Sequence, residues 1–362
     1  MLSCSAKRGL TTGGTQWVRN LVQVAGRRHL PGSRNKKFPK HLQPWDQHFP
    51  HRLQVEDKIQ SEDVSSFASR LRPKLDGLLH THGAVLLKGL PIQSVEDFSC
   101  FYTGLGYELM TYVGGSGFRH SVAPNVFTGS VDPPEYTVEP HNEMAYLPYW
   151  PHLIFFYCET EAEPGCGGEN GLTDVRTVYD QLDPEVKEKF NRLGVRYWRY
   201  FPAESRPNYP SWRESLKVET RAQVEEMVTK AGNSVSWDDD GSLCFWTDRP
   251  AISPHYRTGE MLWFGQIPGQ HWTCFEDYPG LWDKLKHLPE KQFPFTTLYG
   301  DGSVIELDVM DHLREVTWKC TKGSQLKQNE VLVFDNMLFS HCKMGFTGPR
   351  LNRTSMACYK AT

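Results

Sequence analysis

The stretch Glu139-Pro140-His141-Asn142-Glu143-Met144 places an imidazole and a carboxylate two residues apart in a segment that reads as extended. Alternate side chains of a strand point to the same side, so this reading puts His141 and Glu143 together and turns Asn142 away. Two such donors are half of a metal site. A third must hold an iron-like ion on one face while leaving other positions open, and His341, two hundred residues downstream, can supply it. Whatever fold the chain adopts has to bring residue 341 beside residue 141. Fourteen histidines and forty-three acidic residues generate His-x-acid triplets by chance, so the motif gains its meaning from its surroundings.

The 362 residues allow two average domains or one large β domain with insertions. No run approaches the eighteen consecutive apolar residues of a membrane span. Residues 1–45 differ from the rest: Lys7, Arg8, Arg19, Arg27, Arg28, Arg34, Lys36, Lys37 and Lys40 give nine positive charges, and no acidic residue precedes Asp46. A basic, acid-free leader with hydroxyls and an apolar patch around Trp17, Val18, Leu21 and Val22 fits a transit peptide for the mitochondrial matrix; a basic tail or nucleic-acid arm is the alternative. With those nine charges removed the net charge falls from −3 to −12, which argues against nucleic acid as a partner. The nine cysteines form no C-x-x-C pair, so we read them as reduced thiols and not as a disulfide framework or zinc ribbon.

Along the chain, Val64, Phe67, Leu71, Leu75, Leu78 and Leu79 recur at helical spacing after the potential N-caps Ser61 and Asp63, and Gly83 ends the run. Residues 84–89 read as a buried strand, and Ser94 to Phe98 opens a helix with a capping box. The loop Gly114-Gly115-Ser116-Gly117 lacks the strand and helix of a phosphate cradle and reads as a surface loop or lid. Further on come a buried strand over 151–158, a helix from 174 to 193 broken near Asp183-Pro184, a helix over 221–230 and a solvated turn at Asp238-Asp239-Asp240-Gly241. Residues 297–299, 304–307 and 330–336 are expected to be strands, and the polar stretch 203–250 an insertion into the domain 46–362.

His141-Asn142-Glu143, the turn Gly167-Gly168-Glu169-Asn170, the run Val331 to Asn336, His341, and Gly348-Pro349-Arg350 to Arg353 follow one another as in taurine dioxygenase and clavaminate synthase-like enzymes. Over residues 63–360 the chain resembles the TauD/TfdA superfamily of Fe(II)- and 2-oxoglutarate-dependent oxygenases. The resemblance implies a mainly β fold with flanking helices, a double-stranded β-helix or jelly-roll barrel, with His141, Glu143 and His341 on Fe(II). 2-Oxoglutarate is then the co-substrate and dioxygen the oxidant. Its distal carboxylate needs a cation, in this family an Arg about a dozen residues after the second His. Arg350 and Arg353 both qualify. On a strand Arg353 shares a face with the small residues Ser355 and Ala357, and we choose Arg353 on that parity. Asn170 stands where the taurine dioxygenase group has a Thr that donates to the same carboxylate, with Thr173 the other candidate. Glu143 in the carboxylate position argues for hydroxylation, desaturation or cyclisation and against halogenation.

The implied enzyme is a dioxygenase acting on a small metabolite, possibly an amino acid derivative. A jelly-roll metalloenzyme that does not use 2-oxoglutarate, or a non-catalytic metal-binding member, would carry the same triad. Tyr146, Trp198 and Arg119 are candidates for the wall of the substrate pocket. For the leader, we expect residues 1–45 fused to a fluorescent protein to reach mitochondria; a cytosolic or nuclear signal would contradict the charge argument.

Overall fold

In the computed structural model, which describes residues 42–55, 63–111, 119–130, 132–134, 136–207, 209–277 and 281–360, the chain separates into two units. The first holds the chain up to Met144, Tyr149–Val175 and everything from Thr317 on; the second holds Ala145–Pro148 and Arg176–Val316. Residues 1–41, which hold most of the leader expected over 1–45, and the loop 114–117 lie outside the described residues. Leu42 is buried with Trp318, Cys342 and Met344, and the Trp45 indole donates to the Lys322 carbonyl at 3.0 Å. Leu42 and Trp45 thus pack on the smaller sheet and the helix before it.

The first unit begins with strand β1 (His51–Gln54), helix α1 (Val64–His82), β2 (Ala84–Lys88) and helix α2 (Val95–Gly104). The Asp63 carboxylate caps α1 by accepting from the Ser65 and Ser66 amides, and Gly83, at φ +70°, closes it by donating to the Leu79 carbonyl. Ser94 and Asp97 form the expected capping box of α2. Then come β3 (Glu108–Met110), β4 (Ser121–Ala123), β5 (Val126–Thr128), β6 (Val138–His141), β7 (Leu153–Thr160) and β8 (Asn170–Asp174).

The second unit carries β9 (Val195–Phe201), β10 (Ser234–Trp237), β11 (Leu243–Arg249), the hairpin β12 (Ile252–Pro254) and β13 (Met261–Trp263), and β14 (Phe295–Tyr299). Four of these form one sheet in the order β10-β11-β9-β14. Residues 203–250 contribute the hairpin β10-β11 to this sheet: it pairs with β9, and β9 with β14, within a unit that extends across Arg176–Val316. The acidic turn joins that hairpin, with the Gly241 amide on the Asp238 carbonyl. The helical run expected to break near Asp183 does so, giving helices Val175–Gln181 and Pro184–Leu193. Residues 304–307 are not a strand; only Val304 bridges, to Leu298, and a helix starts at Leu307 because its apolar residues Met310, Leu313 and Val316 recur at helical spacing.

The chain ends in the first unit with β15 (Thr321–Ser324), β16 (Val331–Asp335), β17 (Phe339–Lys343) and β18 (Leu351–Cys358). The larger sheet runs β1-β2-β16-β7-β18-β5-β4, with β3 on β18, and the smaller runs β15-β8-β17-β6. From β5 to β8, and again from β15 to β18, successive strands alternate between the two sheets, the wiring of a double-stranded β-helix. Alternation along the large sheet decides what faces what. Leu153, Phe155, Tyr157, Val331, Val333 and Ala357 pack with Phe67, Leu71, Phe98 and Phe101 of the two helices in one core. The opposite face carries Phe156 and Phe334, whose rings meet at 5.6 Å.

A buried amide locks the turn after β6 to the turn after β16. Asn336 accepts the Glu143 amide at 2.7 Å and donates to the carbonyls of Glu143 and Pro151, both at 3.0 Å, while Asn142 donates to the Asn336 carbonyl at 2.6 Å. Asn336→Ala would strand one buried backbone N–H and deprive two carbonyls of a donor. We expect it to cost about 3 kcal/mol in urea unfolding; a loss below about 1 kcal/mol would show that the latch is dispensable.

Candidate active site

β6 delivers His141 and its neighbour β17 delivers His341; the two are paired directly across the ladder, with ring centres 4.2 Å apart. Glu143 arrives differently from the expectation of strand alternation. β6 stops at His141, the chain turns, and Met144 takes a left-handed φ of +59°. The Asn336 latch, not the pleat, carries the carboxylate to the histidines. Asn142 is buried in the latch, where its side chain donates to the Asn336 carbonyl.

One ligand atom from each of His141, Glu143 and His341 lies within 4.8 Å of the others. His341 Nε2 and Glu143 Oε2 stand 3.6 Å apart, too far for a hydrogen bond and close enough to share an ion. Since a carbonyl can only accept, His141 Nδ1–H donates to the Glu139 carbonyl at 2.8 Å, which leaves Nε2 as the ligating nitrogen. Burial, and after it the nearby His141 and Arg119, hold the His341 pKa well below the ordinary imidazole range, so the ring is neutral and competent as a ligand. Phe156 and Phe334 flank it at 5.2 and 5.5 Å. Arg119 donates to Glu143 Oε2 at 2.8 Å, an ion pair in which both side chains are nearly buried. Two neutral imidazoles and one carboxylate, converging without bonding one another, fit a divalent iron on one face.

The sheet gives the two arginines different surroundings. Arg353 does share a face with Ser355 and Ala357, but across the ladder the three pair with Tyr157, Phe155 and Leu153 respectively, on the face covered by the helices. Arg353 pairs there with Glu159. Neighbouring elements come close here: Tyr102 of α2 reaches the Met356 carbonyl, and Ser355 donates to the Asn125 carbonyl in the turn between β4 and β5. Arg350 instead points to the Gly-Gly turn, its Nε donating to the Gly168 carbonyl at 2.8 Å and Nη2 to Asn170 Oδ1 at 3.0 Å. Gly168 is glycine for this contact, since a Cβ there would sit 2.6 Å from Arg350 Cδ and φ is +79°.

Asn170 lies on the same face of its strand as Leu172, which pairs with His341. Its Oδ1 accepts from Arg350 and Asn352, whereas its Nδ2 is buried without a partner. Thr173 is on the other face and bonds Thr321 at 2.6 Å, so of the two candidates only Asn170 offers a free donor on the histidine side. Burial lowers the Arg350 pKa to about 10, which still leaves it charged at neutral pH, and Glu169 offsets part of that loss. Arg350, Asn170 and the triad all belong to the first unit; Tyr146 and Trp198 belong to the second, where Trp198 stacks on Trp246. Asn336 escaped the sequence reading although it ends the run Val331 to Asn336, because nothing in a strand pattern marks which polar residue will bind backbone.

The family model for the taurine catabolism dioxygenase TauD, TfdA family matches residues 40–359. A clavaminate synthase-like protein of Arabidopsis thaliana is 30% identical over 284 residues, 76% of this chain and 82% of the relative. The dapdiamide synthesis protein DdaC of Enterobacter agglomerans is 29% identical over 307 residues, 85% of this chain and 91% of the relative. Among solved structures, a taurine dioxygenase from Burkholderia xenovorans is similar with a TM-score of 0.47 and 14% identity, over 88% of this chain and 89% of that one. With the motif order, the jelly-roll wiring and the triad in agreement, the chain belongs to the TauD/TfdA family and is a 2-oxoglutarate-dependent non-haem iron oxygenase.

Proposed function

We propose that the enzyme hydroxylates an unactivated C–H bond of a small metabolite of the amino-acid-derivative class, with Arg350 and Asn170 as the clamp for 2-oxoglutarate. The observation that carries the clamp is a partly buried guanidinium that, among the described residues, is held by the neutral oxygens of Gly168 and Asn170, beside an amide N–H with no acceptor there. A carboxylate satisfies both at once, and a fork of guanidinium N–H groups binds it bidentately. Glu143 supports hydroxylation over halogenation because the carboxylate ligand is present. The relatives named for clavaminate synthase and for dapdiamide synthesis support a small metabolite. The acid-free leader supports a mitochondrial address.

In this reading His141, Glu143 and His341 would hold Fe(II), which with 2-oxoglutarate and dioxygen supplies the oxidising chemistry when bound. The chain's own part is positioning. The Asn336 latch fixes the Glu143 backbone, Arg119 fixes one carboxylate oxygen and balances its charge, and the Glu139 carbonyl selects the His141 tautomer. Phe156 and Phe334 keep water from the His341 ring.

Two comparisons test this. Arg350→Ala should raise the 2-oxoglutarate concentration needed for succinate formation by roughly a hundredfold, the loss of about 2–5 kcal/mol from a buried carboxylate partner, with bound iron unchanged. Arg353→Ala should shift it by less than about threefold and lower thermal stability slightly; the reverse order would place the co-substrate on the other face of β18. In the second comparison Glu143→Gln, which keeps size but removes the anion, should lose iron and turnover together, and Glu143→Asp should keep part of both. Full iron content in Glu143→Gln would remove Glu143 from the ligand set.

A further inference from the structure

Arg199, in the second unit, is a buried charge that the iron chemistry does not use. It stands on β9 between Phe245 of β11 and Phe295 of β14. Its Nη2 donates to Gln270 Oε1 at 2.7 Å, and its other acceptor, the Trp198 carbonyl, is 3.5 Å from Nη1. The guanidinium carbon lies 5.2 Å from the ring centre of Phe295 and 5.8 Å from that of Tyr146. Among the described residues, no Asp or Glu reaches it at ion-pair distance.

Burial pulls the Arg199 pKa down, and the groups that push it back up are Tyr146, Tyr197 and Cys274, none of them a carboxylate. A guanidinium does not escape such a site by losing its proton, so it keeps its charge and needs an anion. The residue as a whole is only partly buried. Its frame is built in advance from neutral groups. Gln270 Nε2 donates to Gln266 Oε1 at 3.1 Å, and the Gln266 amide donates to the Tyr197 hydroxyl at 2.9 Å. Gln270 thus holds one arm of the fork and leaves the remaining N–H groups in the planar array that suits a carboxylate. The aromatic faces compensate part of the charge and offer a flat apolar wall beside it.

We propose that the second unit carries a carboxylate-binding site built on Arg199, framed by Gln270, Tyr146 and Phe295, for a small molecule whose carboxylate adjoins a flat apolar group. The proposal is independent of the 2-oxoglutarate clamp, and its test removes that clamp. Benzoate binding is measured by calorimetry on the full chain carrying Arg350→Gln, with methyl benzoate as the uncharged control. We expect benzoate but not the ester to bind, and Arg199→Gln to weaken benzoate at least tenfold. Gln270→Glu, which sets an internal carboxylate against Arg199, should abolish benzoate binding and raise the melting temperature; it carries the test if Arg199→Gln does not fold. No benzoate binding in the parent, equal binding in Arg199→Gln, binding of the ester as strong as that of the acid, or undiminished binding in Gln270→Glu would each overturn the site.

Discussion

The pairing of β6 with β17 sets residue 141 directly opposite residue 341, and the rest of the site depends on that ladder. Two imidazoles two hundred residues apart become neighbours because the strands alternate between two sheets, so the turn after β6 and the strand β17 share one edge of the smaller sheet. The cost is borne locally. A neutral His341 in an apolar surround is tolerated because Phe156 and Phe334 pack on it, and the buried Glu143 is tolerated because Arg119 and the Asn336 latch satisfy it. Truncating one partner of a buried pair leaves the other uncompensated, which is why residues outside the ligand set matter to the metal.

The elements written in short-range chemistry were legible in the sequence. Asp63, Gly83, the Ser94–Asp97 box and the break at Asp183-Pro184 act within one helical turn, and each sits where its chemistry demands. The triad residues were legible as a motif, yet the route by which Glu143 reaches the site was not. Strand alternation supplies a reason for a two-residue spacing, and here a left-handed Met144 and a side-chain amide 193 residues away supply the real one. The limits of the second unit were hidden for a related reason. The polarity of residues 203–250 describes their surface, while membership in a sheet is decided by hydrogen bonds to β9.

The two arginines show what parity can and cannot decide. Alternation correctly groups Arg353 with Ser355 and Ala357, and it is silent about whether that group faces the ligand cavity or the helices. Small residues such as Ser355 and Ala357 can leave room for a co-substrate, and the same smallness lets another layer approach the sheet. Sidedness comes from the partner strand: Tyr157, Phe155 and Leu153 belong to the helix-packed core, and Arg353 goes with them. A register shift between Leu351 and Asn352 further separates Arg350 from simple alternation along β18.

The charges that remain explain why ligands should stabilise this chain. Arg119 has its carboxylate in Glu143, whereas Arg350 and Arg199 rest on neutral oxygens. A packed apolar residue at either place would be cheaper for folding alone, since desolvating a guanidinium is costly without an anion. Glu169 offsets part of that cost for Arg350, and aromatic faces do so for Arg199, but neither supplies the two parallel hydrogen bonds that a carboxylate gives. An anion that binds only the folded state stabilises it by mass action, about 2.7 kcal/mol at a hundred times its dissociation constant. Any affinity of the two proposed sites for an anion would draw on the desolvation built into these positions, since among the described residues no carboxylate lies at bonding distance from either guanidinium.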